Sequence, residues 1–307
     1  MIRKHTRRAA KAAFAVSLGV AIVLGLGAGA ARPSPRMGPA IVIGTKNFPE
    51  EYILGELYAQ ALKAKGFTVT NKGSLGSTEL IQTALTSGKI NFYPEYTGVI
   101  VQDVFGRKFS GPTARATYEK ARSLEASKGF TLLAPTPFSD TDVVAVTNAT
   151  AKRYGLRSIG DLKKVGAYAF AGFPECQTRN TCLVGYESVY GIGRPTFVPL
   201  ASISAYTLLD QGKVLAADVF STDPPLAKPS KYTVLADPKH VTGFQNVAPV
   251  VKTSVVRAAG PTFTRTVDTV SAKLTLAAMI AMNKAVEVDK QSPAAVAHAF
   301  LQANGLL

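Results

Sequence analysis

Cys176 and Cys182 are the cysteines of this chain, and five residues separate them in the segment PECQTRNTCL. In an exported protein, two cysteines this close favour a disulfide that closes a small loop, because thiols oxidise outside the cytoplasm. In a reducing compartment the same pair would be two buried thiols. A metal site is a weaker interpretation, since His240 and His298 lie far from the pair in the sequence. We therefore predict a disulfide that fixes the loop carrying Arg179, and no metal.

Common catalytic motifs are missing from the sequence that follows the amino-terminal segment. It contains no HExxH, no GxSxG and no GxxxxGK[ST] phosphate-binding loop. Glu50 and Glu51 are adjacent carboxylates, but they stand in the first turn of a predicted helix, where the helix dipole favours negative charge. We predict that the protein is not an enzyme and uses no cofactor. An exported hydrolase that uses His240 or His298 is the alternative from another functional class.

Short strand-like runs alternate with helical segments from Ala40 onward. IVIG, FTVTNKG and KINFYPEY are typical of strands, whereas EYILGELYAQALKAKG and STELIQTALTSG carry apolar residues at helical spacing. A second series of this kind runs from NATAKRYG to YTVLADP, and residues from about Phe263 onward are almost wholly helical. This order predicts an α/β fold with two lobes. Because ligand pockets favour interfaces between domains, we expect a ligand cleft between them.

The first 31 residues have the layout of a signal peptide. MIRKHTRRAAK is basic, and an apolar run extends from Ala12 to Ala31. The small residues Ala28-Gly29-Ala30 predict cleavage before Ala31, while an uncleaved anchor and twin-arginine export stay open. We predict an exported protein, located in the periplasm or cell envelope outside the cytoplasmic membrane.

The composition is that of a globular protein with a basic surface. Hydrophobic residues make up 47% of the chain and charged residues 18%, which excludes a disordered polymer. The formal net charge is +15, but the basic residues are spread along the chain rather than grouped. This pattern favours proximity to an anionic membrane surface and disfavours a nucleic-acid partner.

Several segments together resemble a known protein family. The segments are IGTKNF, LGSTELIQTAL, NFYPEYTG, YGLRSIGDL, FSTDP and NVAPVV, and they are similar to segments of the substrate-binding proteins of ABC importers for glycine betaine, choline and related quaternary ammonium solutes. The resemblance extends from about Ile41 to Leu307. It implies a two-lobed periplasmic-binding-protein fold, type II-like, with a hinged cleft. It also implies that the chain captures a solute and delivers it to a membrane permease driven by an ATPase.

The resemblance assigns candidate ligand contacts. Tyr96 matches a tyrosine of the family's aromatic box, which holds a quaternary ammonium on aromatic faces because this cation cannot donate a hydrogen bond. Arg179 matches the arginine that binds a ligand carboxylate, and Lys46 matches a lysine at the mouth of the cleft. Each has an ordinary alternative as a core or surface residue. The weaker candidates are Asn47, Thr97, Asp140, Asp142, Tyr206, Phe220, Thr222 and Asp223.

Three positions depart from the family pattern. Val99 replaces a common threonine, Asp142 replaces a common box tyrosine, and Gln245 stands where a further aromatic is common. The predicted box is therefore incomplete. Asp140 and Asp142 would attract a cation, so a choline-like ligand remains compatible with the sequence. An aromatic or polyhydroxylated ligand is the alternative within the same transport role.

The two predicted lobes are residues 40–140 plus 246–307 and residues 141–245, with hinge segments near 138–146 and 240–250. Ligand binding would close the lobes by hinge motion, and the permease would recognise the closed form. The expected partners are a small-molecule ligand, the permease and its ATPase, with membrane contact only through the permease. A monomer suits this role.

Overall fold

The structure is a computed structural model that describes residues 38–108, 111–200, 203–227 and 229–307. The predicted signal peptide, residues 1–31, lies outside the described residues. Within the described ranges, no helix has both the length and the apolar character needed to cross a membrane.

Strands and helices alternate along the chain, as the α/β prediction requires. The strands are β1 (Ile41–Thr45), β2 (Val69–Ser74), β3 (Phe92–Tyr96), β4 (Phe130–Leu132), β5 (Asp142–Thr147), β6 (Ala169–Gly172), β7 (Thr196–Pro199), β8 (Ala216–Phe220), β9 (Tyr232–Leu235) and β10 (Val247–Lys252). The α-helices are α1 (Pro49–Ala64), α2 (Thr78–Thr86), α3 (Thr97–Val99), α4 (Ala114–Ala126), α5 (Asn148–Tyr154), α6 (Leu183–Tyr190), α7 (Ala205–Asp210), α8 (Thr253–Ala259), α9 (Pro261–Lys273), α10 (Leu276–Glu287) and α11 (Pro293–Ala303). A π-helical turn at Ile100–Val104 and 3-10 helices at Ile159–Lys164, Pro174–Gln177 and Pro224–Leu226 complete the described elements.

Two five-stranded mixed sheets organise the molecule. The first has the order β2-β1-β3-β10-β4, with β10 antiparallel to both of its neighbours. The second has the order β7-β6-β8-β5-β9, with β5 antiparallel to both of its neighbours. We call the parts built on these sheets the first lobe and the second lobe. The residue boundaries given for them from the sequence stay a prediction.

Local signals in the sequence explain where α1 begins and ends. Pro49 occupies its first turn, where a missing backbone N–H costs nothing, and Glu50 and Glu51 follow in the same turn. Gly66, with φ of 82°, lies just beyond the end of the helix in the left-handed region that glycine adopts without strain. The apolar face of α1 packs with α9, α10 and α11 in one core that includes Ile53, Leu57, Tyr58, Phe263 and Leu301.

The helical carboxyl-terminal part begins at Thr253, before the predicted Phe263. The short helix α8 follows β10 directly, and Gly260 separates it from α9. Gly260 has φ of 76°, so the chain reverses there without strain. The earlier start was missed because α8 spans only Thr253–Ala259 and has a single buried residue, Val255.

The chain crosses between the two sheets after β4 and again before β10. The two crossing segments pair through an isolated antiparallel bridge between Ser139 and Asn246. Asp140 donates its backbone N–H to the carbonyl of Gln245 at 3.1 Å, and the Gln245 N–H donates to Ser139 Oγ at 3.0 Å. These contacts lie within the two segments that the sequence marked as hinges.

Candidate functional site

A cavity of about 70 Å³ lies between residues of the two lobes. Its first-lobe wall comes from the segment after β1 and from the end of β3, and its second-lobe wall from the ends of β6 and β8 and the disulfide loop. Parallel strands of α/β sheets commonly present ligand-binding residues at these carboxyl ends. The predicted site residues that line this cavity are Lys46, Asn47, Tyr96, Asp140, Asp142, Arg179 and Phe220.

Four aromatic side chains form a row along the cavity, which we call the aromatic row: Tyr96, Phe48, Phe220 and Phe173. Neighbouring ring centroids are 6.2 Å apart for Tyr96 and Phe48, 5.2 Å for Phe48 and Phe220, and 5.7 Å for Phe220 and Phe173. All three pairs are stacked, with interplanar angles of 25–26°. Tyr96 and Phe48 belong to the first lobe, whereas Phe220 and Phe173 belong to the second. The contact between Phe48 and Phe220 therefore joins the lobes.

Lys46 is buried in the first-lobe wall, where it neutralises acidic side chains. Its Nζ lies 2.5 Å from Glu95 Oε1 and 4.0 Å from Glu51 Oε1, and both glutamates are fully buried. The same ammonium stands 4.2 Å from the centroid of the Tyr96 ring. A cation at this distance is attracted by the negative face of the ring. The predicted box tyrosine thus already contacts a cation of the protein.

Glu50 joins four elements at the back of the aromatic row. Its Oε1 accepts a hydrogen bond from Tyr96 Oη at 2.8 Å. Its Oε2 accepts from Thr222 Oγ1 at 2.7 Å and from Asn283 Nδ2 at 3.0 Å. Burial raises the pKa of Glu50, and these three hydrogen bonds and Lys46 oppose that rise because they favour the ionised form. Because Thr222 follows β8, this carboxyl group also holds the second lobe against the first.

The cavity wall carries more carboxyl groups than cations. Asp140, Asp142, Glu175 and Asp218 line it, against Lys46 and Arg179. Burial raises the pKa of Asp142 to about 6, although Arg179 and Lys46 act in the opposite direction. Burial also raises the pKa values of Asp140 and Asp218 well above the usual range, and nearby carboxylates add to the effect. A bound cation would lower these pKa values and favour the ionised carboxylates, so the surface suits a ligand with a positive charge.

Arg179 reaches from the disulfide loop to carboxylates of the first lobe. Its Nη2 donates to Glu79 Oε1 at 3.1 Å, and its Nε lies 3.8 Å from Asp103 Oδ2. The side chain is therefore engaged in an ion-pair network between the lobes while it also lines the cavity. Its predicted role as the partner of a ligand carboxylate stays a prediction.

The disulfide between Cys176 and Cys182 is confirmed. The two Cα atoms are 5.1 Å apart, within the usual range for such a bond, and both residues are buried. Their sulfur atoms and an Asp218 carboxylate oxygen lie within 4.8 Å of one another, but disulfide sulfurs are not the thiolates that bind a metal. The bond closes the loop that carries Arg179.

Two of the three departures from the family pattern contact each other. Gln245 Oε1 accepts the backbone N–H of Val99 at 3.0 Å, and Gln245 Nε2 donates to the carbonyl of Thr242 at 2.7 Å. A Cβ at Gly98 would lie 2.5 Å from Gln245 Nε2, so glycine is required for this close approach. The oxygen and the nitrogen of the Gln245 amide both make hydrogen bonds within the protein. The side chain forms part of the cavity wall.

The other predicted residues lie outside this cavity. Thr97 is buried and donates to the carbonyl of Phe244 at 2.9 Å, which gives it a structural role. Tyr206, Thr222 and Asp223 line an adjacent cavity that shares Phe48, Phe220 and Asp140 with the first. Asp140 accepts hydrogen bonds from Ser221 Oγ and the Thr222 N–H, both at 3.1 Å, and so fixes the turn after β8.

Sequence reasoning missed several residues that line the cavity, namely Phe48, Phe173, Glu175 and Asp218. Phe48 follows Lys46 and Asn47 in the same loop, and Phe173 follows β6 directly. Both residues follow the carboxyl ends of parallel strands, and this position could have identified them as candidates in the sequence. Asp218 lies within a buried strand, where only the structure shows that it reaches the cavity.

Comparisons with known proteins identify relatives of this chain. Residues 39–303 match the family described as the substrate binding domain of ABC-type glycine betaine transport systems. The chain is 33% identical over 279 residues to the glycine-betaine-binding protein of Pseudomonas aeruginosa, with 86% of this chain and 88% of that protein covered. It is 30% identical over 282 residues to the glycine betaine-binding protein YehZ of Escherichia coli, with 86% and 90% covered.

Solved structures share the fold. Apo YehZ from Escherichia coli aligns with a TM-score of 0.64 and 27% identity over 87% of this chain and 99% of that one. The crystal structure of a glycine betaine/carnitine/choline ABC transporter aligns with a TM-score of 0.70 and 21% identity over 87% of this chain and 99% of that one. The predicted α/β, two-lobed periplasmic-binding-protein fold is thereby confirmed.

The substitution Lys46→Met tests the buried ion pair in the cavity wall. We expect it to lower the free energy of unfolding by about 3–5 kcal/mol, because it leaves buried carboxylates without their cation. The double variant Lys46→Met/Glu95→Gln should recover most of that loss. Chemical denaturation measures both, with Lys72→Met, at an exposed position on β2, as the control. A loss below about 1 kcal/mol, the value of an exposed pair, would contradict the assignment.

Proposed function

Because the chain belongs to the family of substrate-binding domains of ABC-type glycine betaine transport systems, we propose that it captures a quaternary ammonium cation between its lobes and delivers it to an ABC importer. The observation that supports this most directly is the aromatic row beside a cavity rich in carboxyl groups. Aromatic faces and carboxylates attract a cation without requiring it to donate a hydrogen bond. The role requires no catalysis by this chain, and it places the protein outside the cytoplasmic membrane.

We place the ligand's ammonium group between Phe48 and Phe220. A cation held between two rings lies within about 6 Å of each ring centroid. The centroids of Phe48 and Phe220 are only 5.2 Å apart, so these rings contact each other directly and leave no space for a cation between them. Since the two rings belong to different lobes, a small opening at the paired crossing segments separates them. The lobes then close with the cation between the two rings, and its contacts with both rings replace their direct contact. The hydrogen bond between Thr222 and Glu50 and the ion pairs of Arg179 also link the two lobes.

A choline-like ligand agrees better with the cavity than a zwitterion does. Arg179, the expected partner of a ligand carboxylate, already binds Glu79 and lies close to Asp103. Asp142, with a pKa of about 6, is mostly ionised at neutral pH and would also repel a ligand carboxylate. Glycine betaine is the second candidate, favoured by the names of the relatives and by the presence of Arg179 in the wall.

Replacement of Phe220 by leucine tests this function. Calorimetric titration of the wild-type protein with choline should show binding, and Phe220→Leu should weaken it about 3- to 30-fold, the range of a desolvated cation–π contact. Phe197→Leu removes a half-buried ring from β7 of the same lobe and should leave the affinity unchanged. If neither choline nor glycine betaine binds the wild-type protein, the proposal is wrong. Thermal-shift screening of aromatic and polyhydroxylated solutes then identifies the alternative ligand class.

The affinity for choline should also depend on pH through Asp142. Its pKa of about 6 means that the carboxyl group is mostly neutral at pH 5 and mostly ionised at pH 7.5. A cationic ligand favours the ionised form, so affinity should rise with pH, by up to about tenfold over this interval. Asp142→Asn should lower the affinity at pH 7.5 and flatten the profile. A profile identical in the variant and the wild type would exclude Asp142 from the site.

A further inference from the structure

A second cavity, of about 360 Å³, adjoins the aromatic row. It shares Phe48, Phe173 and Phe220 with the first cavity. Its polar lining comes from the start of α1, the turn after β8, α7 and the end of α10. The lining residues that matter here are Glu50, Tyr206, Thr222, Asp223, Asn283 and Glu287.

Asn283 lines this cavity and has a buried acceptor without a partner in the described part of the chain. Its Nδ2 donates to Glu50 Oε2 at 3.0 Å and to the carbonyl of Thr222 at 3.3 Å, and two acceptors on that side fix the orientation of the amide. Its Oδ1 is buried and has no hydrogen-bond partner in the described part of the chain, while the residue is 1% exposed. A buried acceptor left unpaired is costly, so a donor from a ligand would stabilise it.

Glu287 presents a second acceptor. It lies one turn beyond Asn283 on α10, and among the described residues its carboxylate makes no hydrogen bond or ion pair. Burial raises the pKa of Glu287 to about 7, and the negative charges of Asp223 and Glu50 act in the same direction. A bound cation would relieve this repulsion.

Two hydroxyl groups at this cavity already donate hydrogen bonds within the protein. Thr222 Oγ1 donates to Glu50 at 2.7 Å, and Tyr206 Oη donates to Asp223 Oδ2 at 2.8 Å. The Asn283 Oδ1 atom and the Glu287 carboxylate, by contrast, are acceptors without a hydrogen-bond donor in the described part of the chain. A quaternary ammonium has no N–H group and cannot satisfy them, whereas a protonated amine can.

We propose that this second cavity binds an organic cation that carries N–H donors, with its ammonium at Asn283 and Glu287 and its apolar body against the aromatic row. The proposal deepens the proposed function, since it gives the same cleft a second class of cationic group. It rests on different polar residues from those of the first cavity, so the two can fail separately.

A matched pair of ligands tests the requirement for N–H donors. Phenethylammonium and its N,N,N-trimethyl derivative share one apolar body and one charge and differ in N–H groups. Calorimetric titration of the purified protein should show binding of phenethylammonium, and Glu287→Gln should weaken it by about 10- to 100-fold, the range of a lost hydrogen bond to a charged group. The trimethyl derivative can bind only at the aromatic row, so the same variant should leave its affinity unchanged. No binding of phenethylammonium, or an equal loss for both ligands, would overturn the proposal.

The variant Glu287→Gln assigns the binding to this cavity. It should weaken phenethylammonium by about 10- to 100-fold. Glu187→Gln, a half-buried glutamate on α6 of the second lobe, is the matched control and should change nothing. Unchanged affinity in Glu287→Gln, with thermal melting as in the wild type, would refute the site. Parallel titrations with choline and glycine betaine distinguish the two proposals. Binding of either solute without amine binding refutes only this one, and amine binding without binding of either solute refutes only the proposed function.

Discussion

The binding region depends on the hydrogen bonds that the carboxyl group of Glu50 accepts. This group sits in the first turn of α1, buried, and accepts hydrogen bonds from the end of β3, from the turn after β8 and from α10. These contacts orient Tyr96, hold Thr222 of the second lobe and fix the amide of Asn283. A buried carboxyl group with fewer partners would be costly, so the three donors must be present together. Glu50 lines the second cavity, and Tyr96, which it orients, lines the first.

The same constraint explains how charge is arranged around the cleft. Glu51 and Glu95 are buried beside Glu50, and Lys46 is the cation that faces them. Burial raises the pKa of Glu51 to about 8, and Glu95 and Glu50 add to the rise while Lys46 opposes it. Lys46 thus faces the carboxyl groups of the first-lobe wall. In the second lobe, Arg179 and Lys46 lower the pKa of Asp142 and Arg179 lowers that of Asp218, but burial outweighs them in both cases. A cationic ligand that enters between the lobes supplies the missing positive charge.

Much of this arrangement could be predicted from the sequence, for physical reasons that are local. Periodicity, Pro49 and Gly66 define α1, and two cysteines separated by five residues define the disulfide loop. Family motifs led to Lys46, Tyr96, Asp142 and Arg179, which all line one cavity. The partners of these residues were not predictable, because they arise from tertiary contacts. Lys46 meets Glu95 only because β1 lies beside β3, and Arg179 meets Glu79 only across the two lobes.

The most direct test of the account is a crystal structure of the protein with choline. We predict that the choline nitrogen lies between the rings of Phe48 and Phe220, and that their centroids are farther apart than the present 5.2 Å. The hydrogen bonds of Glu50 to Tyr96 and Asn283 should persist, since they belong to the first lobe. A choline nitrogen bound elsewhere, with Phe48 and Phe220 still stacked on each other, would contradict the account.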